Sequence, residues 1–262
     1  MRTIERLRPF KAVFVVVTLL WGAVPATAQE VRVMTSGGLA APHLDLVSTF
    51  EQRTSQRVVT DAISTGVGQE SIGSRVRRGD PVDVVMLSDA ALADLIKEGR
   101  IVADSRVPIA RSGVGMAVRA GAPKPDISSL DALRRVLLQA QSIAMSPQAS
   151  GVYLSTELFP RLGIAAQLKA KTIIVERERV GAVVARGEAE IGFQQISELL
   201  PVKGLDYVGP LPGDAQRMTT FSAGIASHAR NPTGGRALIA FFSSPEGLRA
   251  MTKYGLEPIN RR

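Results

Sequence analysis

The chain has 262 residues, with 32 Lys and Arg against 24 Asp and Glu, two histidines and no cysteine. The missing cysteine excludes a thiol nucleophile, thiolate metal sites and a disulfide framework. His43 and His228 lie far apart with no H-E-x-x-H spacing, so zinc is not expected, and no Lys/Arg-rich run with interleaved aromatics suggests a nucleic-acid partner.

Arg2, Arg6, Arg8 and Lys11 open the chain, Ala12 to Val24 are apolar, and Pro25-Ala26-Thr27-Ala28 ends in an A-x-A pattern. That order predicts a cleavable secretory signal over 1–28. The apolar run falls short of the ~20 residues that span a bilayer as a helix. The expected mature protein starts near Gln29 in the periplasm, with 28 basic against 23 acidic residues. No later apolar stretch is long enough to cross a membrane, so it is expected to be soluble. Its length suits one large domain or two lobes of ~100–120 residues each.

Val31 to Met34 predict a strand that runs into Ser36-Gly37-Gly38 and then a helix through Leu44, Leu46, Val47 and Phe50. Arg57 to Ala62 predict a second strand, followed by Ser64-Thr65-Gly66-Val67-Gly68 and a helix over Gln69–Arg77. Val82 to Leu87 are continuously apolar, as in a buried parallel strand, and lead through Ser88-Asp89 into a helix over Ala90–Glu98. Three β-loop-α units in a row argue for an open α/β sheet whose ligand lies beyond the carboxyl ends of the strands.

Pro108 to Val118 read as a long strand that can cross between lobes. Ser128 and Ser129 are candidate caps for a helix over Leu130–Gln141. Ser142 to Met145 predict a strand, Ser146 to Gly151 a loop, and Val152 to Phe159 a helix. Further strands are expected within Leu168–Val175, over Glu190–Gln194, in extended Leu205–Val208 and over Met218–Ile225. Helices are expected over Arg179–Arg186, at Ser197–Leu200, and over Gly235–Phe242 and Glu246–Tyr254.

Several segments, taken in order, resemble the type II periplasmic solute-binding proteins, in particular the molybdate-binding group that serves ABC transporters. They are the opening strand and its small-residue loop; Gly79-Asp80-Pro81-Val82-Asp83-Val84-Val85 with Ser88-Asp89; Pro147 to Tyr153 as P-x-x-S-G-x-Y; Val180 to Gly192; and Phe241 to Pro258. The resemblance covers nearly all of the mature chain. It implies an α/β fold of two lobes, each a mixed sheet flanked by helices, with a ligand cleft between them. Lobe 1 would be 29–109 plus 222–262, and lobe 2 would be 110–221. It further implies a monomer that needs no cofactor and passes a small anionic ligand to a membrane permease.

The expected ligand contacts are Ser36, Gly37 and Gly38 in the first loop, Ser64, Thr65 and Gly66 in the second, and Ser150, Gly151 and Tyr153 in the third. Arg179 and Val180 at a helix start, Gln194 and Gln195 at a strand end, and Arg111 on the crossing strand complete the set. Helix N-termini and hydroxyls hold an oxyanion without a full counter-charge. Four features depart from the molybdate pattern: the shifted Ser36, a second loop without a serine run, glutamine at 194 where that group has tyrosine, and Ser146 before Pro147 in place of Asp. They favour an organic di- or tricarboxylate, which Arg111 and Arg179 would pair bidentately.

A second reading comes from another class, since the chain also resembles periplasmic isomerases of this fold that shift the double bond of aconitate. One base moving an allylic proton suffices for that reaction. Candidate bases are His43, Glu70 and Glu178. No G-x-S-x-G supports a serine hydrolase.

Overall fold

The computed structural model describes residues 29–64 and 68–259, with the side chains of 61–67 outside that description. The expected signal over 1–28 lies outside the described residues, as do Thr65, Gly66 and Val67.

The first segment runs β1 (Glu30–Ser36), α1 (Gly37–Thr54), β2 (Arg57–Ser64), α2 (Ile72–Arg78), β3 (Val84–Ser88) and α3 (Asp89–Lys97). The long β4 (Val107–Arg119) follows, then α4 (Leu130–Gln139), β5 (Ile143–Met145) and α5 (Ala149–Tyr153). Next come α6 (Phe159–Arg161), α7 (Ala165–Lys169), β6 (Thr172–Ile174), α8 (Val180–Ala185), β7 (Ile191–Gln195) and α9 (Ile196–Leu199). The chain closes with β8 (Leu205–Pro210), β9 (Met218–Ile225), α10 (Pro232–Phe241), α11 (Pro245–Lys253) and β10 (Glu257–Pro258).

Strands β1, β2 and β3 are mutually parallel, and β9 joins β3 antiparallel. In the second half β5 pairs parallel with β6 and β7. A single hydrogen-bonded path, β2-β1-β3-β9-β4-β7-β5-β6, threads both groups. It does so because β4 spends Val107–Gly113 on β9 and Val114–Val118 on β7. The expected mixed α/β class holds, and β4 is the strand that bridges the two groups.

Each half buries its own core. Val31, Val33, Leu39, Phe50, Val84, Met86 and Leu238 pack in the first. Met116, Leu133, Leu137, Ile143, Leu158 and Phe193 pack in the second. Local signals set the helix ends. The Ser129 hydroxyl accepts from the Ala132 N–H at 3.1 Å and caps α4, a role Ser128 does not share. Helix α10 starts three residues before its expected Gly235, because Asn231 caps it through Gly234 N–H at 2.9 Å and Pro232 fills the first turn. The helix expected from Val152 starts earlier, at Ala149, and passes through a π-helical turn over Leu154–Leu158 before α6. A short helix, α7, precedes the strand expected within Leu168–Val175.

The edge of the first sheet farthest from the strand carboxyl ends is fastened by Asp83. Its Oδ2 accepts from Arg32 N–H at 2.7 Å, and its Oδ1 from Arg230 N–H at 2.7 Å and Asn231 N–H at 2.8 Å. Among the described residues, no helix is long and apolar enough to cross a membrane.

Candidate functional site

The carboxyl ends of β1, β3, β5 and β7 converge on one cavity of about 330 Å³. The β1–α1 junction contributes Ser36 and Gly38, β3–α3 contributes Leu87 and Ser88, β5–α5 contributes Ser146 and Ser150, and β7–α9 contributes Gln195 and Glu198. Residues from both halves of the chain therefore face the same space, at the strand edge where open α/β sheets hold ligands.

Two glycines allow close approach there. A Cβ at Gly37 would sit 1.9 Å from Glu198 Oε1, and one at Gly151 would sit 1.7 Å from the Ser146 carbonyl oxygen. Gly37 is the first residue of an 18-residue helix, so the Glu198 carboxyl lies against the amino end of α1.

Glu198 is the group that sequence reasoning missed. It is only 7 % exposed and lines the cavity from the third position of α9. Burial pushes its carboxyl up to about 7; the Arg179 charge, the Gln195 backbone N–H and the Gln194 amide pull the other way without cancelling it. Gln194 Nε2 donates to Glu198 Oε1 at 3.0 Å. The backbone N–H of Gln195, the N-cap residue, also bonds this carboxyl, which is half of a capping box. The available signal was an acid in the first helical turn directly after a buried strand end.

The surroundings of Glu198 hold unused hydrogen-bonding capacity. Ser36 Oγ, Gln194 Oε1, Gln195 Oε1 and Ser197 Oγ are buried without partners. Unsatisfied buried groups are uncommon in folded proteins, and two of these, on Ser36 and Gln195, belong to residues that line the cavity.

Of the expected contacts, the structure brings Ser36, Gly38, Ser150 and Gln195 to the cavity, with Gly37 and Gly151 directly behind it. The backbone of Ser64 ends β2 opposite Ser36. Thr65 and Gly66 lie outside the described residues.

Others are placed differently. Arg111 is exposed on β4 and pairs with Glu257 at 2.9 Å, away from the cavity. The Tyr153 hydroxyl donates to the Ala215 carbonyl at 2.8 Å, and Arg217 stacks 4.8 Å above its ring, so the side chain fastens α5. Arg179 is half-buried just before α8, does not line the cavity, and acts on Glu198 through its charge. Val180 is buried under β7. Gln194 is buried and holds Glu198 rather than facing the cavity.

None of the three candidate bases reaches the cavity. His43 is fully buried in α1, 2.8 Å from Thr60 Oγ1, and desolvation lowers its pKa to about 4. It is a neutral packing residue beside Phe242. Glu70 is exposed, 3.5 Å from Arg78. Glu178 forms a surface pair with Arg186 at 2.8 Å.

The fold and this cleft define a periplasmic-binding-protein type of molecule, and the chain belongs to the bacterial extracellular solute-binding protein family, whose model matches residues 31–257. It is a type II protein of the ModA-like group, as the resemblance implied. Over 243 residues, 92 % of this chain and 92 % of the relative, it is 42 % identical to an aconitate isomerase from Pseudomonas sp. Over 240 residues, 89 % of this chain and 92 % of the relative, it is 28 % identical to the molybdate-binding protein ModA of Azotobacter vinelandii. The solved periplasmic molybdate-binding protein of Azotobacter vinelandii superposes with a TM-score of 0.71 at 18 % identity, covering 88 % of this chain and 100 % of that one.

Proposed function

We propose that this protein binds a small unsaturated polycarboxylate of the aconitate class and shifts its double bond by moving one proton. The observation that carries this reading is Glu198, a buried carboxyl with a pKa of about 7 in the wall of the cleft. An ionised carboxylate in the wall would repel a captured anion. A group that takes and returns a proton near neutrality is suited to general acid–base work.

In the reaction, ionised Glu198 takes a proton from the allylic CH2 of the substrate. The C–H electron pair becomes the new double bond, and the old double bond's electrons spread onto the adjoining carboxylate. Protonated Glu198 then delivers the proton to the other end of the allylic unit. Atoms and electrons balance, with no oxidant or co-reactant. The first N–H groups of α1 and the Ser36 hydroxyl hold a carboxylate and the charge that builds on it. Ser150 faces the same space from the second half. The 42 % identical aconitate isomerase supports this reading.

The same proposal places the two lobes at 29–109 plus 222–262 and at 110–221, with the ligand between them. It takes the protein as a periplasmic monomer released from its 1–28 signal.

A second reading is favoured by the family and by the ModA relative: a receptor that delivers a small anion to an ABC transporter. Neutral Glu198 would then donate a hydrogen bond to a bound oxyanion. NMR of cis- and trans-aconitate incubated with the protein separates the two, alongside thermal shifts with molybdate, sulfate and citrate. Interconversion of the aconitates is the expected result. Unchanged aconitate spectra with a molybdate-induced rise in Tm would establish the receptor instead.

A further inference from the structure

The cavity does not end at Glu198. It continues as an arm between α2 and α3, walled by Ile72, Leu87, Ala91 and Leu95, and reaches Arg77. The walls are largely apolar, with Ser71 and Asp94 also in the lining and Asp94 held by Lys97 at 3.2 Å, and the Arg77 cation fits a short carbon chain ending in a carboxylate.

Arg77 is built to change partners. Its Nε and Nη2 donate to Glu98 at 2.7 and 2.8 Å, which leaves Nη1 outside the pair. A Cβ at Gly73 would lie 3.2 Å from that Nη1, so the bare backbone of Gly73, itself in the cavity wall, leaves room for the guanidinium. The Arg77 and Glu98 side chains are 48 % and 39 % exposed. An ion pair in such a setting contributes little to stability, so giving up Glu98 costs little. A substrate carboxylate arriving through the apolar arm recovers the same bidentate geometry in a drier place.

We propose that the α2–α3 arm is a specificity subsite in which Arg77 exchanges Glu98 for the outlying carboxylate of the substrate, selecting tricarboxylates over dicarboxylates. This rests on the substrate class proposed above. In a tricarboxylate, one carboxylate sits at the amino end of α1, the reacting carbon lies near Glu198, and the third carboxylate is held by Arg77.

The test compares the affinities of trans-aconitate and mesaconate, the same unsaturated dicarboxylate core with the CH2-carboxylate end cut back to a methyl group. Calorimetry is run on the wild type and on Arg77→Ala, Arg77→Lys and Glu98→Gln. Loss of one bidentate charged contact predicts aconitate binding weakened roughly 10- to 100-fold in Arg77→Ala, with mesaconate changed less than about threefold. Arg77→Lys, which keeps the charge and loses the fork, falls between the wild type and Arg77→Ala. Glu98→Gln removes the competitor and tightens aconitate, a gain that a purely structural pair would not produce. Equal weakening of both ligands in Arg77→Ala, no weakening of either, or weaker aconitate binding in Glu98→Gln would overturn the subsite. If the wild type binds neither compound, the substrate class itself fails, whatever the variants do.

Discussion

Asp83 and Glu198 are both buried carboxyls, the first just ahead of β3 and the second in the wall of the cavity, and they are furnished in opposite ways. Asp83 receives three backbone N–H groups at 2.7–2.8 Å from β1 and from the approach to α10. Every donor is fixed main chain, so the charge is satisfied and the group acts as a rivet. Glu198 receives one side-chain amide at 3.0 Å and one backbone N–H, and burial outweighs them. Around it lie unpartnered polar atoms rather than surplus donors. The scaffold acid is fully engaged by main-chain donors, whereas burial leaves the acid at the cleft close to the balance between its two forms. An incompletely satisfied carboxyl in a cavity is costly to the fold, and the proton transfer proposed above would account for its presence there.

The largest expected effect that tests this contrast is on catalysis. Glu198→Gln keeps the shape and the Gln194 contact but holds no transferable proton. It is expected to slow aconitate interconversion by about 10²- to 10⁴-fold while leaving the fold intact, as NMR time courses and circular dichroism would register. Equal rates for variant and wild type would erase the distinction between the two acids.

Stability should respond in the reverse sense. Asp83→Asn replaces one of the two accepting oxygens with an NH2 that faces a backbone N–H, and is expected to cost about 2–3 kcal/mol in urea unfolding. Glu198→Gln should not cost stability at neutral pH. The Glu198 pKa is raised in the folded state, so the folded protein binds the proton more tightly than the unfolded chain. Stability therefore falls as pH rises from the ordinary carboxylate range through about 7, and the glutamine variant escapes that fall.

Two arginines sharpen the picture further. Arg179 lowers the Glu198 pKa through its charge, so Arg179→Gln should move the basic form, and the rise of kcat/KM with pH, to higher pH. Arg111→Ala removes only an exposed pair with Glu257. It should change urea stability by less than about 0.5 kcal/mol and leave aconitate affinity as it was.

Much of the fold was legible because its signals are local. Continuous apolar runs such as Val84–Leu87, punctuated by Ser/Gly turns, mark buried parallel strands directly. The same punctuation marked Ser36, Gly38 and Ser150 at the cleft. What escaped were properties that depend on partners far along the chain. Glu198 is buried because α9 packs on the amino end of α1, more than a hundred residues earlier, and nothing near it in sequence announces that. Arg111 reads as a ligand contact from its place on the crossing strand and Tyr153 from the family-like Pro147 to Tyr153 run, but β10 supplies a partner for the first and the Ala215 carbonyl one for the second. His43 sits on the helix face turned to β2 and Phe242, so a candidate base became a packing residue.

The central claim is that Glu198 holds its proton up to neutral pH in the empty cleft. Its carboxyl-carbon NMR resonance, assigned by comparison with Glu198→Gln, measures this directly. The account predicts a titration midpoint near 7, well above the ordinary carboxylate range. A midpoint in the ordinary carboxylate range would make Glu198 a standing negative charge, contradicting its assignment as the proton carrier.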